Sequence, residues 1–276
     1  MMSAEVWMGY LVDHADDYTV VQSPFTMNGV RVFGADSDAT TLAVAGVLHR
    51  LQHEAVDKIG IPDGIDANTV TLATSAHQHE EEATDPLWDL LLSDEATVVL
   101  ARQGATVELP VLDVQIEVDP DFHGAIHAAW EEELHEAHVS QGAYVSRSQY
   151  EEAASSRLSL QGQQSGGAIV WPPRFSGAVH GETNDTHVLK PTGTVQLWTT
   201  LSAAGAPSEF SLRAPLLGGI STVFLQLDEG PYGVFLTVDD EDTPLSMDLP
   251  MELVLRRIYA QEGFIRYGLK ARTIQD

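Results

Sequence analysis

Histidines and carboxylates form two groups whose spacing is compatible with metal binding. His123 and His127 are four residues apart, one turn before Glu131, and a second group at 77–80 reads His-Gln-His-Glu. Imidazoles at positions i and i+4 with a nearby carboxylate can hold a transition metal ion. However, the order His-Glu-x-x-His does not occur and no further ligand is identifiable. A stand-alone metalloenzyme that uses these His and Glu clusters is therefore one alternative, and an exposed acidic helix is the other.

The absence of cysteine limits the chemistry of this chain more than any other feature. It excludes disulfides, Cys-ligated zinc and a thiol nucleophile. The hydrolase motif Gly-x-Ser-x-Gly is also absent, and the glycine pairs at 166–167 and 218–219 are too short for a nucleotide-binding loop. We therefore predict no catalytic residue in this chain.

The charge of the chain is strongly negative, with a net value of −27 and only three lysines among 276 residues. This composition is typical of a halophilic protein, because at molar salt the Debye length is only about 3 Å and like charges hardly repel. An ordinary acidic protein is the alternative. This charge repels the phosphate backbone of nucleic acids, so we expect no nucleic acid partner. The sequence has no long apolar run and starts without a signal-peptide pattern, so we expect a cytoplasmic protein with no membrane partner.

The composition changes along the chain. Residues 1–140 contain 26 of the 41 acidic side chains but only 4 of the 14 basic ones. Such a shift indicates a domain boundary. We predict an acidic α/β domain at 1–142, a helix plus ribbon at 143–190, and a β domain at 191–276, which is an α+β fold overall.

Local patterns predict the elements of the first domain. An Asp-Ser-Asp sequence at 36–38 is a helix cap, and the β-branched run at 68–74 is typical of a strand. Gln-Gly at 103–104 indicates a hairpin. The predicted strands are 18–21, 29–33, 68–74, 97–101, 106–109 and 111–118, and the predicted helices are 39–58 and 119–138.

The last domain has five segments that are rich in β-branched or aromatic residues and bounded by Gly, Pro or Asp. They lie at 193–201, 222–228, 232–238, 251–257 and 263–270. Five short strands within about 80 residues favour a small Greek-key barrel.

The segment before these strands resembles a rubredoxin-like zinc ribbon. An aromatic-Pro-Pro-Arg sequence runs from Trp171 to Arg174, as in a zinc-ribbon and OB-fold family that accompanies acyl-CoA enzymes (domain of unknown function thirty-five). The resemblance places the four zinc ligands at Gln163, Gly166, Gly177 and His180. Only the histidine can coordinate, and a structural zinc site needs four ligands. We therefore expect a metal-free, degenerate ribbon that is stabilised by packing.

The resemblance extends over about residues 145–272. Its matching points include Leu-Asp-Glu-Gly at 227–230, Met-Glu-Leu at 251–253 and Arg-Tyr-Gly at 266–268. It implies a five-stranded OB-fold barrel, and the chain is most similar to the OB-fold β subunit of haloarchaeal two-subunit β-ketothiolases. The implied function is a non-catalytic subunit that orders the catalytic one and helps to form the acyl-CoA channel.

The implied partner is a thiolase-type catalytic subunit that carries the Cys nucleophile, in a hetero-oligomer. The chain itself would need no cofactor and no zinc, and would share a coenzyme A thioester with that partner. The alternative partners are a hydroxymethylglutaryl-CoA synthase and an enoyl-CoA hydratase. The pathway is open between polyester storage (polyhydroxyalkanoate), mevalonate formation and β-oxidation.

Basic residues near the end of the chain are candidates for binding the phosphates of coenzyme A, because arginine binds phosphate in bidentate fashion. The alternative is pairing with neighbouring carboxylates across the strands. The candidate residues are Arg174, Arg256, Arg257, Arg266 and Lys270.

The first domain also resembles the first half of thiolase-like and hydroxymethylglutaryl-CoA synthase enzymes over about 60 residues. The similarity is the order of an Asp-rich start, a helix of small residues, and a strand that ends in Ser-Ala-His at 75–77. It implies a reduced, non-catalytic relative of those enzymes, and an unrelated α/β domain is the alternative.

Overall fold

The protein is described by a computed structural model that covers residues 5–78, 88–110, 114–135, 138, 146–165, 167–173, 186–241, 244–261 and 263–274. Within these ranges the chain is a mixed α+β protein with four α-helices and eighteen strands. It forms two compact units, Met1–Ala128 with Leu255–Arg257, and Ala129–Val254 with Ile258–Asp276. Of the helices in the described ranges, none has the length and apolar character that crossing a membrane requires.

The first unit contains a seven-stranded sheet and a three-stranded sheet. Its strands are β1 (Glu5–Trp7), β2 (Tyr10–His14), β3 (Tyr18–Gln22), β4 (Phe25–Met27), β5 (Val30–Arg31), β6 (Lys58–Gly60), β7 (His77–Gln78), β8 (Trp88–Ser93), β9 (Thr97–Arg102) and β10 (Ile116–Glu117). The large sheet has the order β1-β2-β3-β9-β8-β6-β7, and the small one β10-β4-β5. The large sheet is antiparallel from β1 to β8, whereas β6 pairs in parallel with both β7 and β8.

Helix α1 (Ala39–Arg50) packs on this sheet and begins where the sequence predicts. The Asp38 carboxylate accepts a hydrogen bond from the Thr41 amide, and the Thr41 hydroxyl accepts one from the Asp38 amide. This reciprocal cap satisfies two amides that the first turn leaves unpaired. A Cβ at Gly46 would lie 2.8 Å from a methyl group of Val21. Glycine therefore allows the close approach of α1 to β3. The helix ends earlier than the predicted residue 58, because the chain turns after Arg50 and Lys58 starts β6.

Residues 68–74 form a helix, so the predicted strand is wrong. Helix α2 (Ala67–Thr74) starts at Asp66, whose side chain accepts hydrogen bonds from the amides of Asn68 and Thr69. The cap and the packing of α2 against α1 outweigh the β propensity of its threonines and valine. The strand at 70–73, on which the resemblance to thiolase-like enzymes depended, is therefore absent.

The predicted second strand of a hairpin, at 106–109, is also wrong. Both edges of β9 are already occupied, by β3 on one side and β8 on the other. No free edge is left for residues 106–109, and Val107 instead packs on the cluster of Val20, Val99 and Ala101. Of the predicted strand at 111–118, Ile116–Glu117 forms β10, and residues 111–113 lie outside the described ranges.

The second unit contains the remaining helices and two sheets. Helix α3 (Pro120–Leu134) contributes residues to both units, and the domain boundary predicted at residue 142 falls outside the described residues and stays a prediction. The other elements are α4 (Arg147–Leu158), β11 (Gln161–Ser165), β12 (Ala168–Val170), β13 (Thr186–Val188), β14 (Thr192–Leu201), β15 (Ile220–Leu227), β16 (Tyr232–Leu236), β17 (Pro250–Gln261) and β18 (Phe264–Thr273), with 3₁₀ turns at Ala203–Gly205 and Ser208–Phe210.

The five-stranded sheet of the second unit confirms all five predicted strands. Its order is β16-β15-β14-β17-β18, and a parallel bridge joins Thr237, just after β16, to Ala271 in β18. The two outer strands thus meet, which is compatible with the predicted Greek-key barrel. A Cβ at Gly193 would lie 2.4 Å from the Gln226 carbonyl oxygen, so glycine is required where β14 crosses β15. The OB-fold assignment itself stays a prediction.

The ribbon segment forms the three-stranded sheet β12-β11-β13. Gln163, the first of the four positions that correspond to zinc ligands, lies in β11 and pairs with Val170 and Thr186. The other three positions, Gly166, Gly177 and His180, lie outside the described residues. The metal-free state of the ribbon therefore stays a prediction.

Candidate functional site

A cavity of about 570 Å³ lies within the second unit, between α4, the Trp171–Pro172 segment and the strands β15 to β18. This volume is within the range of small-molecule binding sites. Its aromatic and basic lining residues are Tyr150, Arg157, Trp171, Phe224, Tyr232, Phe235, Tyr259, Arg266 and Tyr267.

Two stacked aromatic pairs form one wall of the cavity. Trp171 stacks on Phe235 with ring centroids 5.7 Å apart, and Phe224 stacks on Tyr232 at 5.3 Å. The Trp171–Pro172 peptide is cis. Gly233 permits this packing, because a Cβ there would lie 2.6 Å from the Phe235 ring and 2.9 Å from Trp171. Tyr232 is 48% exposed, so its ring is available to a flat ligand.

The phenol of Tyr150 joins helix α4 to β18 by two hydrogen bonds. The Tyr150 hydroxyl accepts a hydrogen bond from the Tyr267 amide at 3.0 Å and donates one to the Tyr267 carbonyl at 3.2 Å. A second bond, from the Trp171 indole to the Ser156 carbonyl at 3.4 Å, ties the Trp-Pro segment to the same helix. The cavity wall is thus positioned by hydrogen bonds to the backbone.

Arg266 is the buried cation of the cavity. Its guanidinium carbon lies 5.0 Å from the centre of the Tyr150 ring, and only 4% of the residue is exposed. Burial raises the pKa of Tyr259, whereas the charge of Arg266 and a hydrogen bond from it lower that pKa. The Nε of Arg266 is buried and has no hydrogen-bond partner among the described residues. An anionic ligand can supply that partner.

The cavity differs in charge from the rest of the chain. Among the described residues that line it are two arginines, Arg157 and Arg266, and no aspartate or glutamate. The whole chain carries a net charge of −27. Stacking surfaces together with guanidinium groups suit a ligand that has both a planar ring and anionic groups.

Two of the arginines that the sequence nominated for phosphate binding are buried in the first unit. Arg256 pairs with Asp36 at 3.0 Å, with both side chains fully buried, and it lies over the Tyr10 ring. Arg257 donates to the Ala35 carbonyl and is 8% exposed. Arg256 thus pairs with a carboxylate that is not on a neighbouring strand, and Arg257 bonds a backbone carbonyl. Phosphate binding by either stays a prediction.

Lys270 belongs to a buried ionic network in the second unit. Its ammonium group donates to Asp239 at 2.6 Å, and Asp239 also accepts from Arg213 at 2.8 Å. Arg213 donates to Glu133 at 2.6 Å and lies 3.6 Å from the centre of the Trp130 ring. All four charged side chains are almost fully buried. Of the nominated residues, Arg266 lines the cavity, Lys270 lies in this network, and Arg174 lies outside the described residues.

The histidine pair of α3 does not gather further ligands. The rings of His123 and His127 are 4.3 Å apart, and His123 contacts the Phe33 carbonyl oxygen. Burial, followed by the nearby Arg257 charge, lowers the pKa of His127 to about 4. Within the described part of the chain, no set of three metal-ligating side chains includes either histidine.

The sequence did not nominate the aromatic walls of the cavity. Phe224 and Tyr232 lie on two consecutive strands, but Tyr150 comes from a helix much earlier in the chain. The alternation of residues along β15 and β16 predicts which face of the sheet each side chain lies on. It does not predict that α4 packs over one of these faces. Arg157 had no signal beyond its position as a basic residue in the last turn of a helix.

Comparison with known proteins shows a distant similarity to solved structures. No protein-family model matches the chain, and no curated protein matches it. A chain in the solved structure of the Ltp2-ChsH2(DUF35) aldolase is similar, with 19% sequence identity and a TM-score of 0.31. The similarity covers 46% of this chain and 95% of that chain.

Proposed function

We propose that this chain is a non-catalytic subunit of an acyl-CoA enzyme, and that its cavity receives part of a coenzyme A thioester. The observation that carries this proposal is the cavity of the second unit, with aromatic walls, two arginines and no acidic lining residue among those described. The adenine ring of coenzyme A can stack on an exposed aromatic face, and its phosphates can accept from guanidinium groups.

The proposal assigns catalysis to a partner chain because this chain has no cysteine. A thiol nucleophile is the usual carrier of an acyl group in carbon–carbon bond formation between acyl thioesters, and this chain contains no cysteine. A partner therefore supplies the nucleophile and the base that activates it. This chain contributes binding surface and helps to exclude water from the channel.

The partner that we propose is a thiolase-type subunit, so that the complex is an acetyl-CoA acetyltransferase (β-ketothiolase). The support for this choice is the resemblance of residues 145–272 to the OB-fold subunits of such enzymes, together with the acidic, lysine-poor composition. An interface that two chains need for their activity buries on the order of 2,000 Å² or more.

The ligand part of the proposal is tested by titrating the purified chain with coenzyme A in a calorimeter at fixed high salt. The variant is Arg157→Gln, and its matched control is Arg147→Gln, because both arginines are exposed on α4 but only Arg157 lines the cavity. Losing a charge-assisted hydrogen bond costs about 1.5–3 kcal/mol. We expect Arg157→Gln to weaken binding about tenfold or more and Arg147→Gln to leave it unchanged.

Equal losses in the two variants, or no binding by the unaltered chain, contradict the assignment of the cavity. The partner part is tested separately, by identifying what co-purifies with the tagged chain in high salt and assaying acyl-CoA thiolysis. Activity is expected from the complex and not from the chain alone. Condensation or cleavage of acyl-CoA by the isolated chain contradicts a non-catalytic role.

A further inference from the structure

Three histidines of the first unit form a cluster that the proposed function does not use. His14 ends β2, His49 lies in the last turn of α1, and His53 follows in the turn after that helix. The ring centroids of His14 and His53 are 4.2 Å apart, and each lies 5.3 Å from that of His49. One ring nitrogen from each residue lies within 4.8 Å of the other two.

His49 is held in an orientation that metal ligands commonly have. Its Nε2 lies 2.5 Å from a carboxylate oxygen of Glu5, and the residue is only 3% exposed. The carboxylate accepts a hydrogen bond from the Nε2–H group, so the lone pair of the neutral ring is on Nδ1. That Nδ1 is buried and has no hydrogen-bond partner among the described residues. A carboxylate that fixes the second nitrogen of an imidazole is typical of metal-binding histidines.

We propose that His14, His49 and His53 bind one divalent transition metal ion of the zinc class. Imidazole nitrogens suit Zn²⁺, Co²⁺, Ni²⁺ and Cu²⁺, whereas Mg²⁺ and Ca²⁺ prefer oxygen ligands. A tetrahedral zinc ion with Zn–N bonds of about 2.0–2.1 Å separates its ligand nitrogens by about 3.3 Å. The three nitrogens must therefore approach by up to about 1.5 Å. His53 is exposed and lies in a turn, so side-chain rotation provides this movement, and a water completes the coordination.

Among the described residues, Arg50 is a cation that contacts this cluster, and its contacts leave room for a metal. Its Nη1 lies within 3.3 Å of three acceptors, His14 Nε2, the Asp16 carbonyl and a carboxylate oxygen of Glu54. A guanidinium nitrogen of this kind carries two hydrogens, so one of the three acceptors is surplus. The His14 ring can therefore rotate away from Arg50, and both hydrogens of Nη1 still have acceptors. The Glu54 carboxylate offsets the positive charge of Arg50, and Glu5 adds a negative charge beside His49.

The two less exposed rings of the cluster have lowered pKa values in the metal-free chain. Burial, with smaller contributions from Arg50 and the other two histidines, lowers the pKa of His14 to about 4, and Asp16 opposes this shift. Burial also lowers the pKa of His49, against the opposing effect of Glu5.

The proposal is tested with Co²⁺ as the probe, added to the full-length chain in the presence of excess Mg²⁺. The magnesium occupies acidic surface groups, and the visible absorption of Co²⁺ reports tetrahedral coordination by nitrogen. The primary variant is His53→Gln, because an exposed residue can be changed without disturbing the core. The control is His123→Gln, which removes one ring of the other close histidine pair. A second variant, Glu5→Gln, tests the orienting carboxylate.

We expect one Co²⁺ per chain, displaced by Zn²⁺, with a tetrahedral spectrum. His53→Gln should weaken binding about tenfold or more, and Glu5→Gln about 10- to 100-fold, as outer carboxylates of metal sites do. His123→Gln should leave the affinity unchanged. The proposal is overturned by an octahedral spectrum, by unchanged affinity in His53→Gln, or by an equal loss in His123→Gln. Since coenzyme A is not involved, the result is independent of the proposed function.

Discussion

The buried network around Arg213 gives a sharp test of how the second unit is stabilised. Glu133 and Asp239 carry two negative charges, and Arg213 and Lys270 two positive ones, with at most 5% of any of these side chains exposed. Replacing Asp239 by Asn or Lys270 by Met removes one charge and leaves an uncompensated one in the interior. Breaking a buried pair in this way costs about 3–5 kcal/mol of the free energy of unfolding.

The double variant Asp239→Asn/Lys270→Met separates charge balance from the loss of single contacts. It keeps the Glu133–Arg213 pair, whose Nε–Oε2 distance is 2.6 Å, so the interior is neutral again. We therefore expect the double variant to cost less than the sum of the single ones, by about 2 kcal/mol.

The assay is urea unfolding at a fixed high salt concentration, with tryptophan fluorescence as the signal. Lys190→Met is the matched control, because it removes an exposed lysine of the same unit and should change the stability by about 0.5 kcal/mol or less. Strict additivity of the two single effects would refute the reasoning. An effect of Lys270→Met no larger than that of Lys190→Met would refute it as well.

Two further predictions concern packing and pH. Gly233→Ala should destabilise the chain by about 1–3 kcal/mol and weaken coenzyme A binding, because the new methyl group overlaps the rings of Phe235 and Trp171. Thermal unfolding measures this loss of stability. Gly124→Ala is the control, because a Cβ at Gly124 would have no atom of another part of the chain within 4 Å, so this variant should not destabilise the protein. The folded-state pKa of His14 is lowered from 6.5 to about 4, so the metal-free chain should lose stability as pH falls from 6.5 to 4, where the unfolded state binds the extra proton. His14→Gln should reduce that slope in unfolding experiments; an unchanged slope would contradict the assignment.

The sequence predicted the five strands of the second unit well because each has its own local signals. Each run of β-branched and aromatic residues ends at Gly, Pro or Asp, and the observed strands differ from the predicted ones mainly by a few residues at their ends. The start of α1 was predictable for the same reason, since Asp38 and Thr41 are neighbours in sequence and form the cap between themselves.

The errors have a common origin in contacts that the sequence does not display. The threonines and valine of α2 favour a strand locally, but Asp66 and the packing on α1 make a helix. Residues 106–109 alternate like a strand but find no free edge at β9. Both outcomes depend on elements elsewhere in the chain.

The candidate sites were harder to predict than the fold. The acidic partner of Arg256 is Asp36, which lies in the other half of the chain, so burial of this arginine could not be read from its neighbours. The cavity walls come from α4, the Trp171–Pro172 segment and the four strands β15 to β18. The histidine cluster did leave a signal, because His49 and His53 are four residues apart, but the third ring, on β2, is close only in the folded chain.

The hydrogen bonds of the Tyr150 phenol also affect whether another strand can pair with β18. It bonds both the amide and the carbonyl of Tyr267, which are the two groups that a neighbouring strand would otherwise use. An edge strand with unpaired N–H and C=O groups can pair with a strand of another molecule, which leads to aggregation. At Tyr267 the Tyr150 hydroxyl occupies both groups, so a foreign strand cannot pair with β18 at this residue.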